Sequence, residues 1–180
     1  MTAIAGLIDN GKVWIGGDSA GVGGYSLSVR TDSKVFTSGE FIFGCTSSFR
    51  MIQLLRYEFS PPTPLEKSEP MRYMVSQFIP AIKGVFRSGG FLKTNSGEEE
   101  GGEFVVGWRG ILFSIQCDFQ VAQMADPYYA CGCGRDLVLG SLFTSADTGS
   151  TPMDRITWSL QAAERFSAGV RGPFVIESVG

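Results

Sequence analysis

The chain has 180 residues, 24 of them glycine, with 43% apolar and 18% charged side chains. Length and composition describe a single globular domain over residues 1–180 with enough apolar residues to bury a core. The net charge is −3 and there is no histidine, which argues against a nucleic-acid partner held by a basic patch and excludes Ser-His-Asp triads, Cys-His dyads and histidine-ligated zinc.

Thr2 to Ile8 alternates loosely and meets Asn10-Gly11, the strongest short hairpin signal, before the return strand Lys12–Gly17. Gly16–Gly24 reads as a glycine-rich irregular stretch. Phe41–Cys45 is a short apolar strand. Phe49, Ile52 and Leu55 recur at helical spacing, so a helix is expected from Ser47 to about Phe59, ended by Ser60-Pro61-Pro62-Thr63-Pro64. A second helix is expected over Pro70–Phe86, with Met71, Met74, Val75, Phe78, Ile82 and Val85 on one face and Pro80 kinking it. Asn95–Glu103, with Glu98, Glu99 and Glu100, reads as a solvated loop.

Three strands are expected at Phe104–Trp108, Ile111–Gln116 and Phe119–Met124. The turn Gly132-Cys133-Gly134 leads into a helix from Arg135 to about Thr144. The last helix starts at a Thr151 cap with Pro152 next and Asp154 completing a capping box. Its apolar stripe is Met153, Ile156, Leu160, Ala163 and Phe166. Pro173–Val179 closes the chain as a strand. Strands, two helices, strands, two helices and a strand fit an α+β class. Two antiparallel sheets packed face to face, with a helix layer outside each, would bury every stripe as a four-layer αββα sandwich.

No apolar run approaches the roughly 20 residues that cross a bilayer. The N-terminus lacks a basic n-region and is interrupted by Asp9, so a cytoplasmic protein without a membrane partner is expected. Cys45, Cys117, Cys131 and Cys133 contain no Cys-x-x-Cys pair; they read as reduced, mostly buried thiols rather than a metal site.

Gly17-Asp18-Ser19-Ala20-Gly21 fits the G-x-S-x-G nucleophile elbow, but that elbow works with a histidine base. Here it reads as a turn. Gly132, Gly134 and Gly140 have the wrong spacing for a dinucleotide loop, and no Walker A pattern occurs, so no cofactor is expected. Thr2 remains. A threonine that is the first residue of a chain can be activated by its own α-amine. Once Met1 is removed, that amine titrates near about 8 and serves as a base without histidine.

Thr2-Ala3-Ile4-Ala5-Gly6-Leu7, the Asn10-Gly11 turn and Val13-Trp14-Ile15-Gly16-Gly17-Asp18-Ser19 resemble the opening of the proteasome β-subunit family, which includes the bacterial peptidase that works with an ATPase ring. The resemblance implies an N-terminal-nucleophile hydrolase in which Thr2 is the nucleophile. Asp18 and Lys34 fall at the family's separations, Lys34 placing positive charge beside the nucleophile and Asp18 orienting it. Phe41-Ile42-Phe43-Gly44 resembles the strand whose glycine N–H helps form the oxyanion hole, assigning that role to Gly44. Ala130-Cys131-Gly132-Cys133-Gly134 resembles the family's Gly-Ser-Gly turn, with Cys133 in the serine's place. Arg165-Phe166-Ser167-Ala168-Gly169 lacks the aspartate the family carries there.

The first functional expectation is a threonine-type peptidase acting through an acyl-ester on Thr2, assembled as a homo-oligomeric ring and served by a separate ATPase unfoldase. The second is a silent structural or assembly subunit, as in a virion or large particle. The third is hydrolysis of a small amide on the same fold.

Overall fold

The structure is a computed structural model that describes residues 1–64 and 68–180. Asn10 and Gly11 both take positive φ, 49° and 75°, as a two-residue I′ turn requires. They join β1 (Ile4–Asp9) to β2 (Lys12–Gly17), with Ile4 opposite Gly17 and Asp9 opposite Lys12. On the far edges lie β12 (Tyr128–Cys131), paired with β1, and β13 (Val175–Val179), paired with β2.

A second antiparallel sheet runs β11-β10-β9-β6-β5. Its strands are Val121–Gln123, Ile111–Ile115, Phe104–Trp108, Phe41–Cys45 and Val35–Ser38 in that order. The two sheets face each other across Ile4, Val13, Ile15, Val35, Ile42, Val105 and Leu112, all at most 1% exposed. Glycine permits that approach: a Cβ on Gly44 would lie 2.6 Å from both Ile4 and Ile15.

Helices complete the sandwich. On the second sheet, α1 (Phe49–Tyr57) and the long helix of α2 (Pro70–Tyr73), a π-helical turn (Met74–Phe78) and α3 (Ile79–Ser88) bury an aromatic core around Phe43, Phe78, Phe86 and Trp108. On the first sheet, α4 (Arg135–Thr144) and α5 (Pro152–Phe166) bury Val138, Leu142, Ile156, Leu160 and Ala163. This is the expected αββα sandwich, with α5 capped as expected by Thr151 Oγ1 accepting from Asp154 N–H. No helix among the described residues is long and apolar enough to cross a membrane.

Several expectations are corrected. Gly16–Gly24 is not irregular; it contains the end of β2 and β3 (Ala20–Gly23), which pairs with β4 (Ser26–Val29) in a projecting hairpin. The acidic loop is a second small hairpin, β7 (Lys93–Asn95) with β8 (Glu98–Glu100), whose Glu99 pairs with Lys83 and Arg87 of α3. Pro80, expected to kink the long helix, lies near the start of α3. Its missing N–H and its ring are accommodated by the π-helical turn just before it. That turn shifts the buried face to Tyr73, Met74, Phe78, Ile79, Ile82 and Phe86 and leaves Val75 exposed. Met153 and Phe166 are exposed as well, at the two ends of the α5 stripe. Cys45 and Cys131 are buried, whereas Cys117 and Cys133 are exposed.

Candidate active site

β1 begins at Ile4, which sets Thr2 and Ala3 at the mouth between the sheets. Thr2 is 4% exposed. Asp18 follows β2 directly alongside, because the hairpin register returns the chain to its own start. Its carboxylate is fully committed. Oδ1 accepts from the Ala3 N–H at 3.0 Å and from Lys34 Nζ at 2.8 Å. Oδ2 accepts from the Ala20 N–H at 2.9 Å and the Arg171 N–H at 3.3 Å.

Lys34 and Asp18 form a buried ion pair, with side chains 2% and 0% exposed. Burial pushes the Lys34 ammonium below the ordinary lysine range, and the Asp18 carboxylate opposes that shift. Lys34 Nζ also reaches the Met1 carbonyl at 3.5 Å. The same carbonyl accepts a short hydrogen bond from Thr2 Oγ1. One carbonyl adjoining the Thr2 nitrogen therefore meets both the hydroxyl and the ammonium.

Cys133 is brought to the site by the turn after β12. Gly132 carries φ 90° and packs so closely on Thr2 that a Cβ there would collide with the Thr2 carbonyl oxygen. The next residue then presents its thiol: Cys133 Sγ accepts from the Thr2 N–H at 3.2 Å and lies 3.6 Å from Ser167 Oγ. The Gly134 N–H donates to Thr2 O at 3.2 Å and completes the clasp.

Gly44 is not brought to the pocket. The Cys45 N–H donates across to Lys34 O at 2.9 Å, and ladder alternation turns the Gly44 N–H the other way, toward Val105 of β9. Its α-carbon faces Ile4 and Ile15 in the core. The residues that line the small pocket of about 80 Å³ at Thr2 come from the segment after β6: Thr46, Ser47 and Ser48, with Val22, Lys34, Phe49 and Ile52. Ser47 holds φ 59°, and its N–H makes no hydrogen bond among the described residues. Its hydroxyl accepts from the Glu103 N–H at 3.0 Å. A serine in a backbone conformation that favours glycine leaves no signature in the sequence.

Ser19, the serine of the G-x-S-x-G match, is spent structurally. It donates to the Pro173 carbonyl at 2.6 Å and is 4% exposed. Glu103 sits behind the pocket, its carboxyl pushed upward by burial, with Arg135 opposing. Among the described residues, no cluster of cysteine, aspartate or glutamate could hold a metal ion.

No protein-family model matches the chain, and no curated protein matches it by sequence. Solved structures do match. BPH of Thiobacillus denitrificans in complex with epoxomicin superposes on 99% of this chain and 98% of its own, with a TM-score of 0.83 and 16% identity. HslV of Trypanosoma brucei covers 98% of each chain with a TM-score of 0.69 and 16% identity. The fold is that of the proteasome-like N-terminal-nucleophile hydrolases. A mutant of Anbu from Hyphomicrobium sp. strain MC1 has a TM-score of 0.67 over 98% of this chain and 80% of its own, at 12% identity. In this proteasome-like fold, the αββα layers and the hairpin register converge on the first residues of β1. Thr2, Asp18, Lys34 and Cys133 meet there.

Proposed function

We propose that the chain is a threonine-type peptidase of the proteasome-like kind, active once Met1 is removed and Thr2 carries a free amine. The observation that carries this reading is the buried Lys34–Asp18 pair: Lys34 lines the same small pocket as Thr2, and Asp18 accepts from the N–H of Ala3 next to it. Thr2 Oγ attacks the scissile carbonyl and its proton passes to the α-amine. Lys34 stabilises the developing alkoxide by proximity of charge. The Ser47 N–H, rather than Gly44, donates to the tetrahedral oxyanion. Collapse expels the leaving amine, which takes the proton held by the α-amine, and leaves an ester on Thr2. Water then gives up a proton to the amine, attacks the ester and releases the acid. Cys133 and Ser167 hold the amine.

The reading extends to a homo-oligomeric ring of this single domain that takes peptide or unfolded chains. A separate ATPase unfoldase would supply them, since no phosphate-binding loop is legible in this sequence. Peptide hydrolysis by Met1-free protein, lost in Thr2→Ala with the fold retained, is the expected result. Equal turnover by Thr2→Ala would refute it.

The second reading is a silent structural or assembly subunit. With Met1 attached, the Thr2 nitrogen is an amide whose N–H is donated to Cys133, so it has no basic lone pair. A chain that keeps Met1 in its assembled state would be that subunit.

A further inference from the structure

Lys34 stands just ahead of β5, outside any regular element. Its placement depends on what grips the backbone around it. Arg56, in the last turn of α1, reaches across to that segment. Its Nη2 donates to Ser33 O at 2.7 Å and to Val35 O at 3.1 Å, the two carbonyls that flank Lys34. The guanidinium lies over the Phe36 ring at 4.7 Å. The carbonyl of Lys34 itself accepts from the Cys45 N–H at 2.9 Å. Three successive carbonyls are thereby fixed, two of them by one side chain.

Arg56 does this at a cost. Its Nε is buried with no partner among the described residues, and an unsatisfied buried donor is unfavourable. An apolar side chain of similar length could cover Phe36 without leaving that atom unpaired. What it could not do is hold both carbonyls.

We propose that Arg56 is the positioning residue for Lys34: by bridging the Ser33 and Val35 carbonyls it fixes the backbone from which Nζ reaches Asp18 and the Thr2 site. This role rests on the reading of Lys34 as the charge beside the nucleophile. The groups facing Nζ are Asp18 just after β2, the Met1 carbonyl, the Cys133 thiol from the turn before α4, and the Phe49 ring of α1 at 5.9 Å. Asp18 is the charged partner among them. Slippage of the 33–35 segment lengthens that pair and removes the support that opposes burial.

The test compares wild type, Arg56→Met and Arg56→Lys. Arg56→Met keeps an apolar cover on Phe36 and loses both bonds. Arg56→Lys retains one cationic nitrogen able to bridge the carbonyls. The Lys34 ammonium is followed by NMR in lysine-labelled protein across pH, with no substrate. The titration is expected to move to lower pH in Arg56→Met and part of the way back in Arg56→Lys. In the Met1-free enzyme, kcat should fall roughly 10- to 100-fold in Arg56→Met, the scale of a small misplacement, with KM little changed. A Lys34 titration identical to wild type in Arg56→Met, with only the melting temperature lowered, would overturn the proposal. So would an Arg56→Lys variant no closer to wild type than Arg56→Met. If Arg56→Met does not fold, Arg56→Lys decides alone: a smaller shift in the same direction supports the role, and no shift overturns it. Because the titration needs no turnover, a wild type that cuts no peptide would remove the peptidase reading without touching this result.

Discussion

The Thr2 nitrogen and the Cys133 thiol are hydrogen-bonded across 131 residues of sequence, at 3.2 Å. The contact exists because β12 pairs with β1 and the Gly132 turn then folds over the Thr2 carbonyl. A thiol is a weak partner for an amine, and a hydroxyl is a better one. Cys133→Ser is therefore expected to match or exceed wild-type peptide turnover in the Met1-free form. Cys133→Ala, which has no acceptor, should lose several-fold. Steady-state kinetics on the three proteins distinguishes these outcomes.

Removing one partner of the Asp18–Lys34 pair leaves a buried charge uncompensated. Asp18→Asn is expected to cost roughly 3–5 kcal/mol, the scale for breaking such a pair, and to abolish turnover. Chemical denaturation measures the first and an activity assay the second. Asp18 also takes three backbone N–H groups, from Ala3, Ala20 and Arg171, so the loss should loosen the mouth of the site as well.

Burial holds the Lys34 midpoint below its ordinary value. Between the folded midpoint and the unfolded one, the unfolded chain binds a proton that the folded chain does not. Stability contributed by this group therefore rises with pH through that window. Below the folded midpoint the full penalty of the buried ammonium is present. Lys34→Met removes this dependence. The difference in unfolding free energy between wild type and Lys34→Met, followed from neutral to alkaline pH, is expected to shift in favour of wild type as pH rises.

Gly132 has both positive φ and no room for a side chain, since a Cβ would strike the Thr2 carbonyl oxygen. Gly132→Ala is expected to cost on the order of 1–3 kcal/mol in backbone strain. It should also displace Thr2, so activity is lost out of proportion to the change in melting temperature. By contrast, Ser47→Gly keeps the backbone N–H in a conformation glycine favours and should retain turnover.

The parts of the fold visible in the sequence are those fixed by local chemistry. Asn10-Gly11 dictates its hairpin, and Thr151, Pro152 and Asp154 dictate the start of α5. Asp18 and Lys34 are singled out by the resemblance to the proteasome β-subunit family, and the hairpin register then explains how Asp18 returns to the side of Thr2. What is not legible depends on distant partners. Val35–Ser38 carries the strand formers Val, Phe and Thr but is too short to stand out alone, and it is a strand because it pairs with β6. In the β3–β4 hairpin, Ser26-Leu27-Ser28-Val29 does alternate, but the run is only four residues long and all of them are exposed, so no buried face marks it as a strand. The face of the Pro70–Ser88 helix is misjudged by a strict 3.6-residue period, because the π-helical turn inserts extra rotation before Pro80. Gly44 looks like an oxyanion donor by its place at a strand end. The ladder register with Val105 turns its N–H away from the pocket, and Ser47, proposed in its place, is singled out only by its backbone conformation.

The central claim is that Thr2 becomes a nucleophile with its own amine as base. Its most direct test is intact-mass and peptide mapping after treatment with an electrophile that captures a threonine hydroxyl together with an adjacent free amine. The account predicts protein lacking Met1 that gains one adduct mapped to Thr2, with no adduct in Thr2→Ala. Met1-free protein that takes up no adduct at Thr2, or a mature assembled protein that retains Met1, would contradict it.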